Sequence, residues 1–172
     1  MIIVSGTGHR PPKLGGYSDD VFWCLVDMAK DWLVRIQEEL NDKVVEVVSG
    51  MALGWDQALA QAAIELGIPL VAAIPCEGQE SRWPPESRAR YNSILSKATR
   101  VELVSKGVYH PAKMQRRNEW MVDRGTHIAA VWDGSGGGTR NCLRYADKQE
   151  KPVYNLWDLW VDKYRPREEV QE

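Results

Sequence analysis

The feature that most constrains this chain is a regular alternation of short β-branched apolar runs with longer amphipathic segments. Each run is followed by a loop that contains glycine or proline, which is typical of strands. The runs are mostly apolar rather than alternating, as expected of strands covered on both faces in a parallel sheet. The predicted strands are residues 2–4, 44–48, 68–74, 100–104, 127–132 and 153–156.

The segments between these strands have the spacing of amphipathic helices. Within residues 19–40, apolar side chains recur every three or four positions, and Ser18 precedes them as a predicted N-cap. The other predicted helices are residues 56–66, closed by Gly67, and residues 84–98, 112–124 and 140–150. The order βαβαβαβαβαβ predicts an α/β fold with a doubly wound, mainly parallel open sheet, a three-layer α/β/α Rossmann-like architecture.

Length and composition narrow the function classes. The 172 residues predict a single nucleotide-binding domain over residues 1–164 and a disordered acidic tail over residues 165–172. The 22 basic and 24 acidic side chains give a net charge of -2, so no global basic field favours a nucleic-acid partner. Three widely spaced cysteines predict neither a metal site nor a disulfide framework, and we expect no cofactor.

No secretory leader and no apolar stretch of membrane-spanning length is present, so we expect a cytoplasmic protein without a membrane partner. Tryptophan is abundant, with eight in the chain. Trp157 and Trp160 lie near its end, where we expect them to stay exposed. Exposed aromatic surface favours association, so we expect a homo-oligomer, in the simplest case a dimer.

A glycine-rich loop follows the fifth predicted strand and leads into a helix. It reads Trp132-Asp133-Gly134-Ser135-Gly136-Gly137-Gly138-Thr139. Glycine lets backbone N–H groups approach a phosphate, and the helix N-terminus adds partial positive charge. Thr139 is expected to donate a hydroxyl hydrogen bond or to cap the helix. The loop lacks the Gly-Lys-Ser/Thr ending of a P-loop, so it predicts a phosphate site of another kind, with a flexible turn as the alternative.

Two further loops follow the first and second strands, and in a parallel sheet all three meet at one edge. The first is Ser5-Gly6-Thr7-Gly8-His9-Arg10 and the second is Ser49-Gly50-Met51-Ala52-Leu53-Gly54-Trp55-Asp56. We expect Arg10 to clamp a phosphate or carboxylate, whereas a lone histidine such as His9 is more often structural. Asp56 either favours the first turn of its helix or accepts a hydrogen bond from a ribose hydroxyl. From the basic helix before the fifth strand, one arginine is expected to turn inward towards a phosphate.

Taken together, these loops resemble the SLOG superfamily, the Rossmann-like group that includes DprA, the LOG-type phosphoribohydrolases and the YpsA-like proteins, and the match is nearest to the last. The resemblance covers residues 2–156 and depends on residues 6–11, 49–56, 118–123 and 132–139. It implies binding of nucleotides or nucleotide-derived molecules, with catalysis in only some members. The resulting ligand-binding set is Gly6, Thr7, Gly8, His9, Arg10, Gly50, Met51, Gly54, Asp56, Arg117, Asp133, Gly134, Ser135, Gly136, Gly137, Gly138 and Thr139.

The chain departs from the LOG enzymes at positions that matter for catalysis. Arg117 matches the arginine of their Met-x-x-Arg-Lys motif, but Asn118 stands where the lysine falls, and no carboxylate follows Thr139 at the place of the LOG glutamate. We therefore expect a module that binds or senses a nucleotide. Two alternatives stay open. The first is an enzyme that acts on a nucleotide N-glycosidic bond, a phosphoribohydrolase or a deoxyribosyltransferase, with Asp56, Arg117 or Asp133 as catalytic candidates. The second is a DprA-like nucleic-acid binder.

Overall fold

The computed structural model describes residues 1–167, and its six strands form one parallel sheet. The strands are β1 (Ile2–Gly8), β2 (Val44–Ser49), β3 (Leu70–Ile74), β4 (Arg100–Leu103), β5 (His127–Val131) and β6 (Val153–Asn155). Their order across the sheet is β4-β3-β2-β1-β5-β6, and every neighbouring pair is parallel. The predicted doubly wound parallel fold is confirmed.

Helices cover both faces of the sheet. They are α1 (Pro11–Leu14), α2 (Asp19–Leu40), α3 (Trp55–Glu65), α4 (Pro85–Ser96), α5 (Pro111–Arg124), α6 (Gly138–Lys148) and α7 (Trp157–Leu159), which continues as a π-helical turn (Trp160–Tyr164). Right-handed crossovers from β1 to β4 put α2, α3 and α4 on one face, and the return through β5 and β6 puts α5 and α6 on the other. The chain reverses direction across the sheet between β1 and β5, so a crevice opens beyond their carboxyl ends.

Strand β1 is longer than the sequence pattern predicts. It continues past Val4 to Gly8, pairing Gly6 with Ala129 and Gly8 with Val131 of β5. Glycine is unfavourable inside strands, so Gly6 and Gly8 by themselves argue against a strand here. In the structure the absence of their side chains makes room for α3. A Cβ added at Gly6 would lie 2.5 Å from a methyl of Leu59, and one at Gly8 would lie 2.6 Å from the Trp55 indole.

The main core lies between the sheet and the layer formed by α2 and α3. Trp55, at the start of α3, is fully buried, packs on Gly8, and donates a hydrogen bond from Nε1 to the carbonyl oxygen of Ala129 at 3.2 Å. One side chain thus joins α3 to β1 and β5. The other face is covered by two smaller apolar clusters beneath α5 and α6.

The local predictions are confirmed only in part. Ser18 caps α2 as predicted, accepting from the Val21 amide at 3.3 Å. The N-cap of α6 is Gly137, so Thr139 lies inside the first turn and does not cap the helix. Trp160 was expected to be exposed but is fully buried, because the π-helical turn packs against α2, while Trp157 is half-buried. Homo-oligomer formation stays a prediction.

The end of the chain is described as far as Arg167. The sequence predicts a disordered tail over residues 165–172. In the structure the Arg165 amide donates a hydrogen bond to the carbonyl oxygen of Trp160 at 2.8 Å, and residues 168–172 of the predicted tail lie outside the described residues. Over residues 1–167, no helix combines the length and the apolar character needed to cross a bilayer.

The close approach of α3 to β1 generates a stability prediction. We expect Gly8→Ala to lower the free energy of unfolding by about 1–3 kcal/mol, because the new methyl group clashes with the indole ring of Trp55. Gly136→Ala is the matched control, since its Cβ would have only the Arg140 guanidinium nearby, at 3.9 Å. Urea unfolding of both variants measures the difference, and equal stabilities would contradict this account of the packing.

Candidate functional site

A cleft of about 600 Å³ opens beyond the carboxyl edge of the sheet. Its walls come from the loops after β1, β2, β4 and β5 and from the first turns of α3, α5 and α6. This is where a doubly wound sheet binds ligands. The lining residues are Thr7, Gly8, His9, Arg10, Pro12, Lys13, Ala52, Asp56, Tyr109, Pro111, Met114, Gln115, Arg117, Asn118, Trp132, Ser135, Gly136, Gly137, Gly138, Thr139 and Asn141.

The glycine-rich loop presents unpaired backbone donors to this cleft. No hydrogen bond within residues 1–167 uses the amides of Gly136 to Thr139, which lead into the first turn of α6. Gly137 has φ +136° and ψ -163°, a conformation open essentially to glycine alone. The loop therefore leaves a row of N–H groups at a helix N-terminus with no side chain in front of them.

A polar network holds this loop against the β1 loop. Nε2 of His9 lies 2.8 Å from Oδ1 of Asp133 and 2.9 Å from its amide nitrogen, and the His9 ring meets Trp157 edge-on at 5.7 Å. The amide and hydroxyl of Ser135 both donate to the same carboxylate oxygen, at 2.9 and 2.5 Å. These bonds from Ser135, followed by His9, hold the pKa of Asp133 well below its usual range. Asp133 is an ionised structural acceptor, and Lys13 contacts the hydroxyl of Ser135.

Arg117 turns inward from α5 and is 3% exposed. Its Nη1 donates to the carbonyl oxygens of Gly50, at 2.5 Å, and Ala73, at 3.3 Å, and its Nε donates to Oδ1 of Asn118 at 3.0 Å. Burial lowers the pKa of the guanidinium, and the charge of Asp56 partly offsets this. Within the described residues Nη2 has no hydrogen-bond acceptor, so this nitrogen stays available to the cleft.

Asp56 is the only carboxylate among the described residues that line the cleft. It is 7% exposed, its Oδ1 has no hydrogen-bond partner, and no basic group of the described chain lies within salt-bridge distance. Burial raises the pKa of Asp56 to about 6, although Arg117, the Ala52 amide and Arg10 act in the opposite direction. An unpaired buried acid is costly to the fold, and such groups concentrate at functional sites.

The structure brings most of the predicted site residues together. Thr7, Gly8, His9, Arg10, Asp56, Arg117, Ser135 and residues 136–139 all line the cleft. Arg10 is exposed and makes no ion pair or hydrogen bond through its side chain within the described residues.

The other predicted residues are not part of this lining. Asp133 and Gly134 line a separate, neighbouring pocket, and the remaining ones are Gly6, Gly50, Met51 and Gly54. Gly6 accommodates Leu59, and the carbonyl of Gly50 accepts from Arg117. A Cβ at Gly54 would lie 2.6 Å from the carbonyl oxygen of His9, so this glycine permits the contact between the first two loops.

Residues absent from the predicted set complete the cleft. Lys13 follows Arg10 by three positions, and Tyr109 follows β4, whose carboxyl end lies at the same sheet edge. Tyr109 can be found from the sequence if every βα loop of the predicted sheet is considered, rather than only the loops that contain glycine.

A family model described as the YspA SLOG family (YpsA) matches residues 4–163. The SPβ prophage-derived protein YoqJ of Bacillus subtilis is 35% identical over 151 residues, covering 77% of this chain and 88% of YoqJ. A UPF0398 protein of Bacillus thuringiensis is 24% identical, covering 94% of this chain and 90% of that protein.

Two solved structures share the fold. DNA processing protein A of Streptococcus pneumoniae superposes with a TM-score of 0.60 at 18% identity over 94% of this chain, which spans 54% of that longer chain. DNA processing protein A of Helicobacter pylori, a structure described for its single-stranded DNA binding mode, gives a TM-score of 0.60 at 16% identity over 99% of this chain and 76% of its own. The family match over nearly the whole chain, on a cleft built from its glycine loops, shows that the protein belongs to the YpsA-like SLOG family.

Proposed function

We propose that the cleft binds a nucleotide or a nucleotide-derived molecule through its phosphate. The observation that carries this proposal is the row of unpaired amides from Gly136 to Thr139 at the start of α6. Backbone N–H groups at a helix N-terminus are suited to anions because donors and helix dipole act together.

The charges around the cleft support an anionic ligand. Arg10, Lys13 and Arg117 line the cleft, against the single carboxyl of Asp56, and of the three Lys13 is partly balanced by Asp133, whose Oδ2 lies 3.8 Å from its Nζ. Arg10 has no partner to give up within the described residues, so binding does not break an existing ion pair. The cleft volume of about 600 Å³ falls in the range of roughly 300–1,000 Å³ typical of small-molecule sites.

Asp56 supports a ligand with a hydroxyl group beside the phosphate. Asp56 lines the cleft, and a sugar hydroxyl supplies a hydrogen-bond donor to its carboxyl group. The cost of burying Asp56 is then offset in the complex, where the acid gains a hydrogen bond.

An enzyme acting on the N-glycosidic bond is a second candidate, favoured by the raised pKa of Asp56. An acid that titrates near neutral pH is suited to proton transfer. Glycoside cleavage generally uses two carboxyl groups, however, and Asp133 is committed to Ser135 and His9. Binding without rapid turnover remains the better-supported proposal.

Nucleic-acid binding is the third candidate, and the DprA neighbours count against the expectation that it is absent. Of the five basic residues between positions 82 and 100, Arg90 pairs with Asp19 and Arg100 pairs with Glu102, whereas Arg82, Arg88 and Lys97 make no ion pair within the described residues. Unpaired basic side chains therefore lie both on this outer surface and, as Arg10, in the cleft. Single-stranded oligonucleotides therefore belong in any ligand panel, alongside mononucleotides.

The first test of this proposal compares two arginines. We expect Arg10→Ala to weaken nucleoside monophosphate binding about tenfold or more, because it removes a charge-assisted hydrogen bond to phosphate. Arg144→Ala is the matched control, since Arg144 is exposed on α6 and does not line the cleft. Isothermal titration with AMP, GMP, CMP and UMP measures the affinities of both variants, and equal affinities would show that Arg10 does not contact the phosphate.

A second variant tests the backbone amides directly. Gly138→Val is expected to abolish or strongly weaken binding, because its side chain stands in front of the N–H groups while the position has no neighbour within 4 Å. Gly138 is preferable to Gly137, where the positive φ would strain any substitution. Circular dichroism establishes that the variant is folded, and unchanged affinity in a folded variant would place the phosphate elsewhere.

The pH dependence of stability tests the state of Asp56. The pKa of Asp56 is about 6 in the folded protein and near 3.8 when unfolded, so the folded state holds the proton more tightly. The cost of ionising Asp56 to the free energy of folding therefore grows as the pH rises from 3.8 to about 6 and is complete above about pH 6. We expect Asp56→Asn to be more stable than the wild type by up to about 3 kcal/mol at pH 7.5, with the difference vanishing near pH 4. Urea unfolding across this range measures it. Asp147→Asn, on the exposed surface, is the control, and destabilisation by Asp56→Asn at pH 7.5 would show that attraction to Arg117 dominates.

We expect release of base from nucleoside monophosphates to be absent or very slow. Phosphate binding is shared by ground and transition states, whereas a missing carboxylate forfeits a factor of roughly 10² to 10⁴ where it serves as acid or base. Chromatography of incubated nucleotides measures base release. Robust turnover that disappears in Asp56→Asn would overturn the binding proposal in favour of the enzyme.

A further inference from the structure

Tyr109 lines the cleft, and its side chain is largely exposed to solvent. Its side chain is 64% exposed, and it follows β4 in the loop that leads to α5. Within residues 1–167 its ring packs against no other aromatic ring and its hydroxyl makes no hydrogen bond. Tyrosine rings are ordinarily much of what a core or an interface buries, so an unpacked ring lining a cleft has a surface free for a ligand.

The loop that carries Tyr109 is held in place by a set of hydrogen bonds. The amide of Gly107 donates to Oε2 of Glu77 at 2.8 Å, and the amide of Glu77 donates back to the carbonyl oxygen of Gly107 at 2.9 Å. Nζ of Lys113 donates to the carbonyl oxygens of Lys106 and Val108 at 2.7 and 2.6 Å. The ring is therefore presented on a fixed backbone, which reduces the entropy lost when a ligand stacks on it.

The lining of the cleft combines chemically different groups. The glycine-rich loop contributes the amides of Gly136 to Thr139, and Tyr109, Pro111 and Met114 contribute apolar surface from the loop after β4 and the first turn of α5. Asp56 adds a third kind of group to the lining, a buried carboxyl. A nucleotide carries a phosphate, a sugar with hydroxyl groups and a flat aromatic base, and these three parts match the three kinds of group in the lining.

We propose that Tyr109 stacks on the heteroaromatic base of the bound nucleotide and orients the base towards α5, with the phosphate at α6. This inference rests on the proposed phosphate site and deepens it. Stacking tolerates different bases because every base has a π-face, so Tyr109 selects for a nucleotide over a sugar phosphate rather than for one base.

The test separates the base from the phosphate by using AMP and ribose 5-phosphate as probes. We expect Tyr109→Ala to weaken AMP binding about tenfold in isothermal titration and to leave ribose 5-phosphate binding unchanged. Tyr109→Phe, which keeps the ring, should bind AMP within about twofold of the wild type. Val108→Ala is the matched control, because Val108 is 78% exposed on the same loop and does not line the cleft.

The outcomes distinguish this inference from the phosphate site beneath it. AMP affinity that falls in Arg10→Ala but is unchanged in Tyr109→Ala would overturn the stacking and leave the phosphate site standing. Equal losses of AMP and ribose 5-phosphate in Tyr109→Ala would also overturn the stacking, since they would indicate a disturbed loop. Failure of the wild type to bind any of AMP, GMP, CMP and UMP would overturn both proposals.

Discussion

The structure depends on the contact between the Trp55 indole and the two glycines of β1. Because Gly6 and Gly8 carry no side chain, α3 approaches the centre of the sheet closely enough for Trp55 to reach the carbonyl oxygen of Ala129 on β5. That approach sets the position of the next residue, Asp56, in the lining of the cleft. A packing requirement in the core thus determines where this buried carboxyl lies.

Some polar groups around the cleft form hydrogen bonds within the protein and hold its loops in place, whereas others have no partner and are available to a ligand. Asp133 and one terminal nitrogen of Arg117 are used internally, where they hold the β5 loop and cap the carboxyl ends of β2 and β3. Arg10, Asp56 and the amides from Gly136 to Thr139 keep free donors or acceptors. Native folds generally satisfy buried polar groups, so a buried exception that faces a cleft indicates function gained at some cost in stability.

Much of the candidate site follows from the sequence, because the glycine-bearing loops come directly after predicted parallel strands and must share one edge. The sequence does not show which residues of those loops line the cleft and which support the fold. Gly6 and Gly134 belong to the same glycine pattern as Gly138, yet only Gly138 lines the cleft. Arg116 and Arg117 are adjacent on one helix, and only the rotation of α5 against the sheet determines that Arg117 is the one buried beneath the carbonyl of Gly50.

The sequence by itself determined the type and order of the elements and their parallel arrangement, since apolar periodicity depends on neighbours along the chain and alternating strands and helices require right-handed crossovers. Only the tertiary structure decided that β1 extends through Gly8, that Asp133 is tied to His9, and that Tyr109 lines the same cleft as the glycine-rich loop. These features join residues far apart in the chain. Their contacts depend on the order of strands across the sheet and on side-chain packing, neither of which local periodicity encodes.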